Sequence, residues 1–343
     1  MYRFIKPEII FQVFFYALGR LIMKFKLDFD IAKSDAYIKY GQAITSLGSC
    51  FANNMTQKFL THKFNVIDHK LGTLYNPYAI FKLIKKALHK TYPKSVLIDG
   101  MHMSFDLHSD IRAAHQTEFS SLCESRMNML HRGLKESEWL IITLGTAWTH
   151  TYLSTNTMVA NCHKLPQTLF KKELLSVDFI LQQFEELQAL LTPFNPKLKI
   201  LFTVSPVRHT KDGLHENTLS KATLHLAVQA IVKKFSHTYY FPAYEIMIDE
   251  LRDYRFYKTD LIHPNELAID YIWDQLTHTY FDETTFKFYE ELKVVLKSIG
   301  HRPFNPNSDQ HQKFIIETLN KTRALSDTID LTTEIEQLTK LLR

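Results

Sequence analysis

Six uncharged residues in succession, Trp139-Leu-Ile-Ile-Thr-Leu144, constrain this chain more than any other stretch. A run that is apolar at odd and even positions alike reads as a strand buried on both faces, as in a parallel sheet covered by helices. Shorter strand patterns fall at Ala43 to Leu47, Phe64 to Ile67, Lys199 to Val204 and Thr238 to Phe241. Helical patterns lie between them, at Phe51 to His62, Pro77 to His89, Ser120 to Ser137, Val177 to Leu191 and Leu219 to Phe235, and a further one follows at Glu266 to Tyr280. Strands alternating with helices imply an α/β fold of three layers, α/β/α, around a mostly parallel sheet whose ligand sites gather at the carboxyl ends of its strands.

The length of 343 residues, with 45% hydrophobic residues and 25 Phe, suits one large α/β domain plus an appendage. We divide the chain into a lead over 1–35, an α/β domain over 36–281 and a helical appendage over 282–343. In the appendage, Leu325, Ile329, Ile335, Leu338 and Leu342 read as one stripe of a last helix after Ser326. The lead holds an apolar run, Phe11 to Leu18, too short to span a bilayer and without a small-residue cleavage site, so no stable membrane insertion is expected. Met23 is an alternative start, which would make the residues before it dispensable. Three scattered cysteines point to a reducing compartment, and we expect a cytoplasmic protein. A net charge of +5 spread along the chain, without a long basic run or a nucleic-acid motif, argues against nucleic-acid binding.

Candidate chemistry starts at Gly48-Ser-Cys50, where the first strand pattern passes into a helix. The free N–H groups that open a helix favour negative charge, which is expected to lower the Cys50 thiol pKa and to hold an oxyanion. Ser49 competes with Cys50 as nucleophile, since a small change in the turn would swap which side chain faces the cleft. Far along the chain, Asp260 and His263 stand three apart on a loop before Pro264, spaced so that Asp260 can orient His263 as a general base. Gly145, Thr146 and the run Ser205-Pro-Val-Arg-His209 end strand patterns and belong to the same edge. Arg208, with His209, Lys211 and Lys164, could hold a carboxylate, sulfate or phosphate, or Arg208 could simply pair with Asp212. The loop Asn161-Cys-His-Lys164 is expected to line the cleft, with Asn161 or Asn76 as an oxyanion donor. Cys50, Cys162, His163 and His263 are of types that suit zinc, but no close pair such as Cys-x-x-Cys or His-x-x-x-His stands among them, so no metal site is expected. Cys123 reads as a small core residue, and Asp249 to Tyr257 as scaffolding, an internal ion-pair network just before the Asp260 loop.

The motifs Gly48-Ser-Cys-Phe-Ala52, Val159 to Pro166, Thr203 to Gly213, Asp249 to Tyr257 and Asp260-Leu-Ile-His-Pro264 together resemble the GSCFA family. That family looks like a distant branch of the SGNH, or GDSL-like, hydrolases, which implies a flavodoxin-like sheet and an esterase or acyltransferase. Superposed on the Gly-Asp-Ser turn of those enzymes, Cys50 takes the nucleophile position, and the late Asp-x-x-His becomes Asp260 and His263. Gly72 matches the glycine of the second block. The Asn of the third block, Gly-x-Asn-Asp, is missing from Gly145-Thr-Ala-Trp148. The resemblance implies an acylated carbohydrate or other small-molecule substrate and a scheme that requires no cofactor and no metal. The alternative is a carbohydrate- or nucleotide-binding module on the same fold without turnover.

Overall fold

The computed structural model describes residues 27, 29–301, 303–306 and 308–342. In chain order the main elements are β1 (Ala43–Gly48), α1 (Cys50–Thr61), β2 (Asn65–Val66), α2 (Pro77–Leu88), β3 (Val96–Ile98), β4 (Met101–Met103), α3 (Gln116–Glu136), β5 (Trp139–Leu144), β6 (Trp148–Tyr152), β7 (Thr157–Val159) and β8 (Phe170–Leu174). Then follow α4 (Val177–Phe194), β9 (Lys199–Val204), α5 (Leu214–Lys234), β10 (Thr238–Tyr240), α6 (Glu266–Tyr280), α7 (Glu283–Ile299), α8 (Asp309–Leu325) and α9 (Thr332–Lys340).

Five strands form the central sheet in the order β2-β1-β5-β9-β10, and every pairing is parallel. By rank along the chain this is 2-1-3-4-5, a doubly wound order whose direction of winding reverses between β1 and β5. The unbroken apolar run of β5 now has its cause. Leu140, Ile142 and Leu144 enter one core with Ile200, Phe202 and Val204 of β9, under α2 to α5. Trp139 and Ile141 enter the opposite core with Leu201, under α1 and α6. Successive side chains of a strand point to opposite faces, so a strand with helices on both sides has no polar face to show.

Two antiparallel pieces lie outside this sheet and were not anticipated. One is the three-stranded β7-β6-β8 and the other the β3-β4 hairpin. Lys171, Lys172 and Glu173 disguise β8 as a loop. The hairpin did carry a local signal, Asp99-Gly100, with both residues at positive φ as a tight two-residue turn requires.

Among the described residues the appendage holds three helices, and the stripe expected of the last one is divided between two of them. Leu325 ends α8 and Ile329 falls in the following turn, while Ile335 and Leu338 belong to α9. The apolar residues close two small clusters between helices, one around Leu292, Val295, Leu325 and Leu331 and one around Ile315, Leu319 and Leu338. Lys63 to Glu334 at 2.5 Å and the edge of Phe288 on Tyr40 at 4.6 Å tie these helices to the α/β body. The apolar run at Phe11 to Leu18 and the alternative start at Met23 lie outside the described residues. Among the described residues no helix is long and apolar enough to cross a membrane.

Candidate active site

The winding reversal between β1 and β5 lies where the Gly48 to Cys50 turn leaves the sheet. Gly48 has φ +141°, and a Cβ there would stand 2.2 Å from the Thr143 carbonyl oxygen, so only glycine lets β1 and β5 approach this closely. Ser49 N–H then donates to that same carbonyl at 3.0 Å. Its side chain turns back to cap α1, with Oγ accepting from Phe51 N–H at 3.3 Å, and the residue is 1% exposed. Cys50, the first helical residue, stays partly exposed.

The thiol does not behave as the helix opening alone predicts. Burial pushes the Cys50 pKa up. The backbone N–H groups of Cys50 and Phe51 and the charges of Lys221 and Lys258 act in the opposite direction without cancelling it. Desolvation of a thiolate outweighs the helix terminus here, so the expected depressed pKa is corrected.

Asp260 and His263 do form a pair. Oδ2 of Asp260 accepts from Nδ1 of His263 at 2.7 Å, while Oδ1 accepts from the backbone N–H of Ile262 at 2.9 Å and of His263 at 3.0 Å. An ionised carboxylate only accepts, so Nδ1 is the donating ring nitrogen and Nε2 is the one not engaged by Asp260. These three donors, the backbone ones first, hold the Asp260 carboxyl down at about 2. A depressed carboxylate contributes stability above its ordinary range and loses that contribution as pH falls. Carbon-detected NMR should therefore show Asp260 titrating with a midpoint near 2, and a midpoint in the usual carboxylate range would mean the pair is open in solution. Pro264 precedes α6 rather than entering its first turn, and Asn265 caps the helix by accepting from Ala268 N–H at 3.1 Å.

Several contacts bring this loop to the edge where the turn lies. Helices α1 and α6 pack together through an ion pair between Lys58 and Asp270, and both begin at the carboxyl edge of the sheet. Arg208 Nη2 donates to Leu261 O at 3.2 Å, and the charge of Lys258, whose N–H donates to His263 O at 2.8 Å, acts on Cys50. His209, which burial pushes down to about 4, feels the charges of Lys221 and His263.

The remaining candidates divide into two groups. At the winding reversal, the segment 72–76 threads between the strand ends: Leu74 N–H donates to Gly48 O at 2.8 Å, and Tyr75 O accepts from the N–H groups of Gly145 at 2.7 Å and Thr146 at 3.0 Å. Those two amides are thereby committed to the fold. A side chain at Gly145 would meet Tyr75 O at 3.2 Å and His209 Nε2 at 3.3 Å. Buried Asn76 caps α2, its Oδ1 accepting from Ala79 N–H at 2.8 Å, which leaves its Nδ2 as a donor at this edge. Gly72, at φ +75°, packs against His108. Ser205 is fully buried, with Oγ accepting from Val207 N–H at 3.3 Å. Arg208 does not pair with Asp212, which takes Lys172 at 2.5 Å; its guanidinium lies over the ring of Tyr257 at 4.8 Å and of Tyr254 at 5.8 Å. Over Asp249 to Tyr257, where an ion-pair network is expected, the described contacts include this aromatic seat and an exposed Asp253–Arg255 pair.

The second group goes elsewhere. Asn161 Oδ1 accepts from His163 N–H at 2.8 Å, and the His163 ring bridges Ser104 O at 2.7 Å and Ser109 Oγ at 3.1 Å. Asn161, Cys162, His163 and Lys164 thus anchor on the segment 104–109, and no described contact brings them to Cys50. Burial raises the Cys162 thiol to about 11 and lowers His163. Among the described residues no three His, Cys, Asp or Glu side chains gather as a metal-holding group.

Residues 43–276 match the model of the GSCFA family, and residues 293–343 match that of the GSCFA domain protein, C-terminal domain. The chain belongs to the GSCFA family. No curated protein matches it. The five GSCFA letters have separate physical reasons in this member: Gly48 for the approach to β5, Ser49 for the cap, Cys50 for an accessible thiol, and Phe51 and Ala52 for the core, at 0% and 2% exposed.

Sequence reasoning overlooked a polar stripe on α5 of this GSCFA chain. Asn217 Oδ1 accepts from His209 N–H at 2.9 Å. Ser220 Oγ accepts from Ala147 N–H at 2.7 Å, and the ammonium of Lys221, 2% exposed, donates to Gly145 O and Ser205 O at 2.7 Å each. The signal was present, because these positions extend the buried register of Leu224, Ala227, Val228 and Ile231 backward.

Proposed function

We propose that this protein is an SGNH-like esterase or acyltransferase with Cys50 as nucleophile. The observation that carries the reading is the contrast within the turn, where Ser49 is buried on its own helix and Cys50 is left partly exposed beside the strand ends. The 2-1-3-4-5 sheet and the Asp260–His263 pair support the superfamily assignment. In this scheme Cys50 Sγ attacks the acyl carbonyl while His263 Nε2 takes the thiol proton, which it later returns to the departing alkoxide. Asp260 keeps the imidazole in the required tautomer. The N–H group of Cys50 and the amide of Asn76 are the donors for the oxyanion. Water or an acceptor hydroxyl then takes the acyl group from sulfur. A thiol whose pKa is raised needs such a base, because little thiolate stands ready at neutral pH.

The superfamily analogy points to an acylated carbohydrate, and Arg208 on its aromatic seat suits a substrate carrying an anionic group. The three free cysteines favour a reducing compartment, hence the cytoplasm. The test is acylation by an activated acetyl ester and a panel of acetylated sugars, read by peptide mass spectrometry after an acid quench. We expect acetyl on Cys50 and turnover lost in His263→Gln. The committed amides of Gly145 and Thr146 favour a second reading, a carbohydrate- or nucleotide-binding module, which moves ahead if no ester acylates the chain.

A further inference from the structure

We propose that the cavity bounded by Arg208, Arg252, Tyr254 and Tyr257 is a subsite for a sugar ring that carries a carboxylate or a phosphate, so that the ester this protein acts on belongs to an anionic sugar. The inference rests on the esterase reading for what the subsite selects, but its test reads binding rather than turnover.

The cavity holds about 270 Å³, and Ile248 is the one aliphatic side chain among its described lining residues. Sites that enclose a whole small molecule are usually larger, so this space suits a single ring, and a lining this polar suits a hydroxylated one. Arg208 lies over the rings of Tyr257 at 4.8 Å and Tyr254 at 5.8 Å, and its Nη2 donates to Leu261 O at 3.2 Å. Its Nε is buried without a hydrogen-bond partner among the described residues, a donor left unsatisfied by the protein. Arg252 is exposed and pairs with no carboxylate among the described residues. Asp253, the one carboxylate among the described lining residues, is taken by Arg255: Oδ2 accepts from Nη2 at 2.9 Å and Oδ1 from the backbone N–H at 2.8 Å. Burial raises the Tyr257 pKa, so that hydroxyl is neutral and adds no negative charge. Two guanidinium groups thus face one carboxylate that is already engaged. A planar oxyanion answers that excess with paired, charge-assisted hydrogen bonds. Tyr254, 63% exposed, leaves ring surface for the C–H face of a sugar.

The same loop carries the two tyrosines and His263. Tyr257 forms an antiparallel bridge with Pro264, the residue after His263, and facing Cα atoms in such a bridge lie about 5 Å apart. Lys258 N–H donates to His263 O at 2.8 Å, Asn265 N–H to Phe256 O at 2.9 Å, and Asn265 Nδ2 to Arg255 O at 2.7 Å. Arg208, which follows β9, is fastened to this loop at Leu261. The subsite therefore keeps a fixed relation to the Asp260–His263 pair, as a group that selects the substrate for that pair requires.

The experiment titrates the full chain with glucuronate, glucose 6-phosphate, glucose, inorganic phosphate and adenosine monophosphate, read by saturation-transfer NMR. Each anionic sugar should bind about tenfold more tightly than glucose or inorganic phosphate, since only it offers both the charge and the ring. Comparing glucuronate with glucose 6-phosphate tells which oxyanion the arginines prefer. Arg252→Gln, at an exposed position, should weaken the anionic sugars about tenfold and leave glucose unchanged. Tyr254→Ala should remove their advantage over inorganic phosphate. A second arginine variant, Arg208→Lys, keeps the charge but loses the fork, and it too should bind them more weakly. Four results each overturn the proposal: glucose binding as tightly as the anionic sugars, no binding at concentrations on the order of 10 mM, undiminished binding in folded Arg252→Gln, or tighter binding of adenosine monophosphate than of either sugar. Anionic sugars that bind while no ester acylates Cys50 would remove the enzymatic reading and leave the subsite standing.

Discussion

Cys50→Ala is expected to abolish acylation and turnover while leaving the fold intact, because the side chain opens a helix at a partly exposed position and only borders the core beneath α1. Ser49→Ala should do the reverse. Removing Oγ leaves Phe51 N–H without its cap, a loss of about 1 kcal/mol of stability, and activity should fall through a looser turn without disappearing. Esterase assays and thermal denaturation of both variants separate the roles. Full turnover in Cys50→Ala with none in Ser49→Ala would exchange them and make the protein a serine enzyme.

Gly48→Ala is expected to damage the fold itself. The added methyl would sit 2.2 Å from Thr143 O and 2.8 Å from Thr143 C and N, atoms of the neighbouring strand that cannot move without breaking the β1–β5 pairing. The backbone would also be held at φ +141°, which an L side chain rarely adopts. Steric overlap and strain together are worth roughly 3 kcal/mol or more, a fall in thermal midpoint on the order of 10 °C. A Gly48→Ala protein with a wild-type melting curve would contradict the strand geometry described above.

Much of the fold was legible because its determinants are local. Trp139–Leu144 and Lys199–Val204 coincide with the expected strands, since apolar runs bounded by turns leave little choice of conformation. Helix α6 coincides with the pattern Glu266 to Tyr280 for the same reason, with Asn265 as its cap. The Asp260–His263 pair was legible too, because three residues of loop suffice to close it. What escaped notice was either short and charged, as in β8, or split by turns, as in the final stripe divided between α8 and α9.

The sequence by itself determined the alternation of strands and helices, the glycine at the strand-to-helix turn and the residue types able to do acyl chemistry. Tertiary structure decided which of them meet and what state they adopt. Asn161 and His163 turned to the segment 104–109 because their hydrogen-bond partners lie there, a pairing that no spacing encodes. Lys221 acquired its place only when β5 and β9 brought two carbonyls to one point. The direction of the Cys50 pKa shift likewise depends on how much protein covers the sulfur, a sum over distant residues, whereas the opposing pull of the helix opening is local and could be read from the chain.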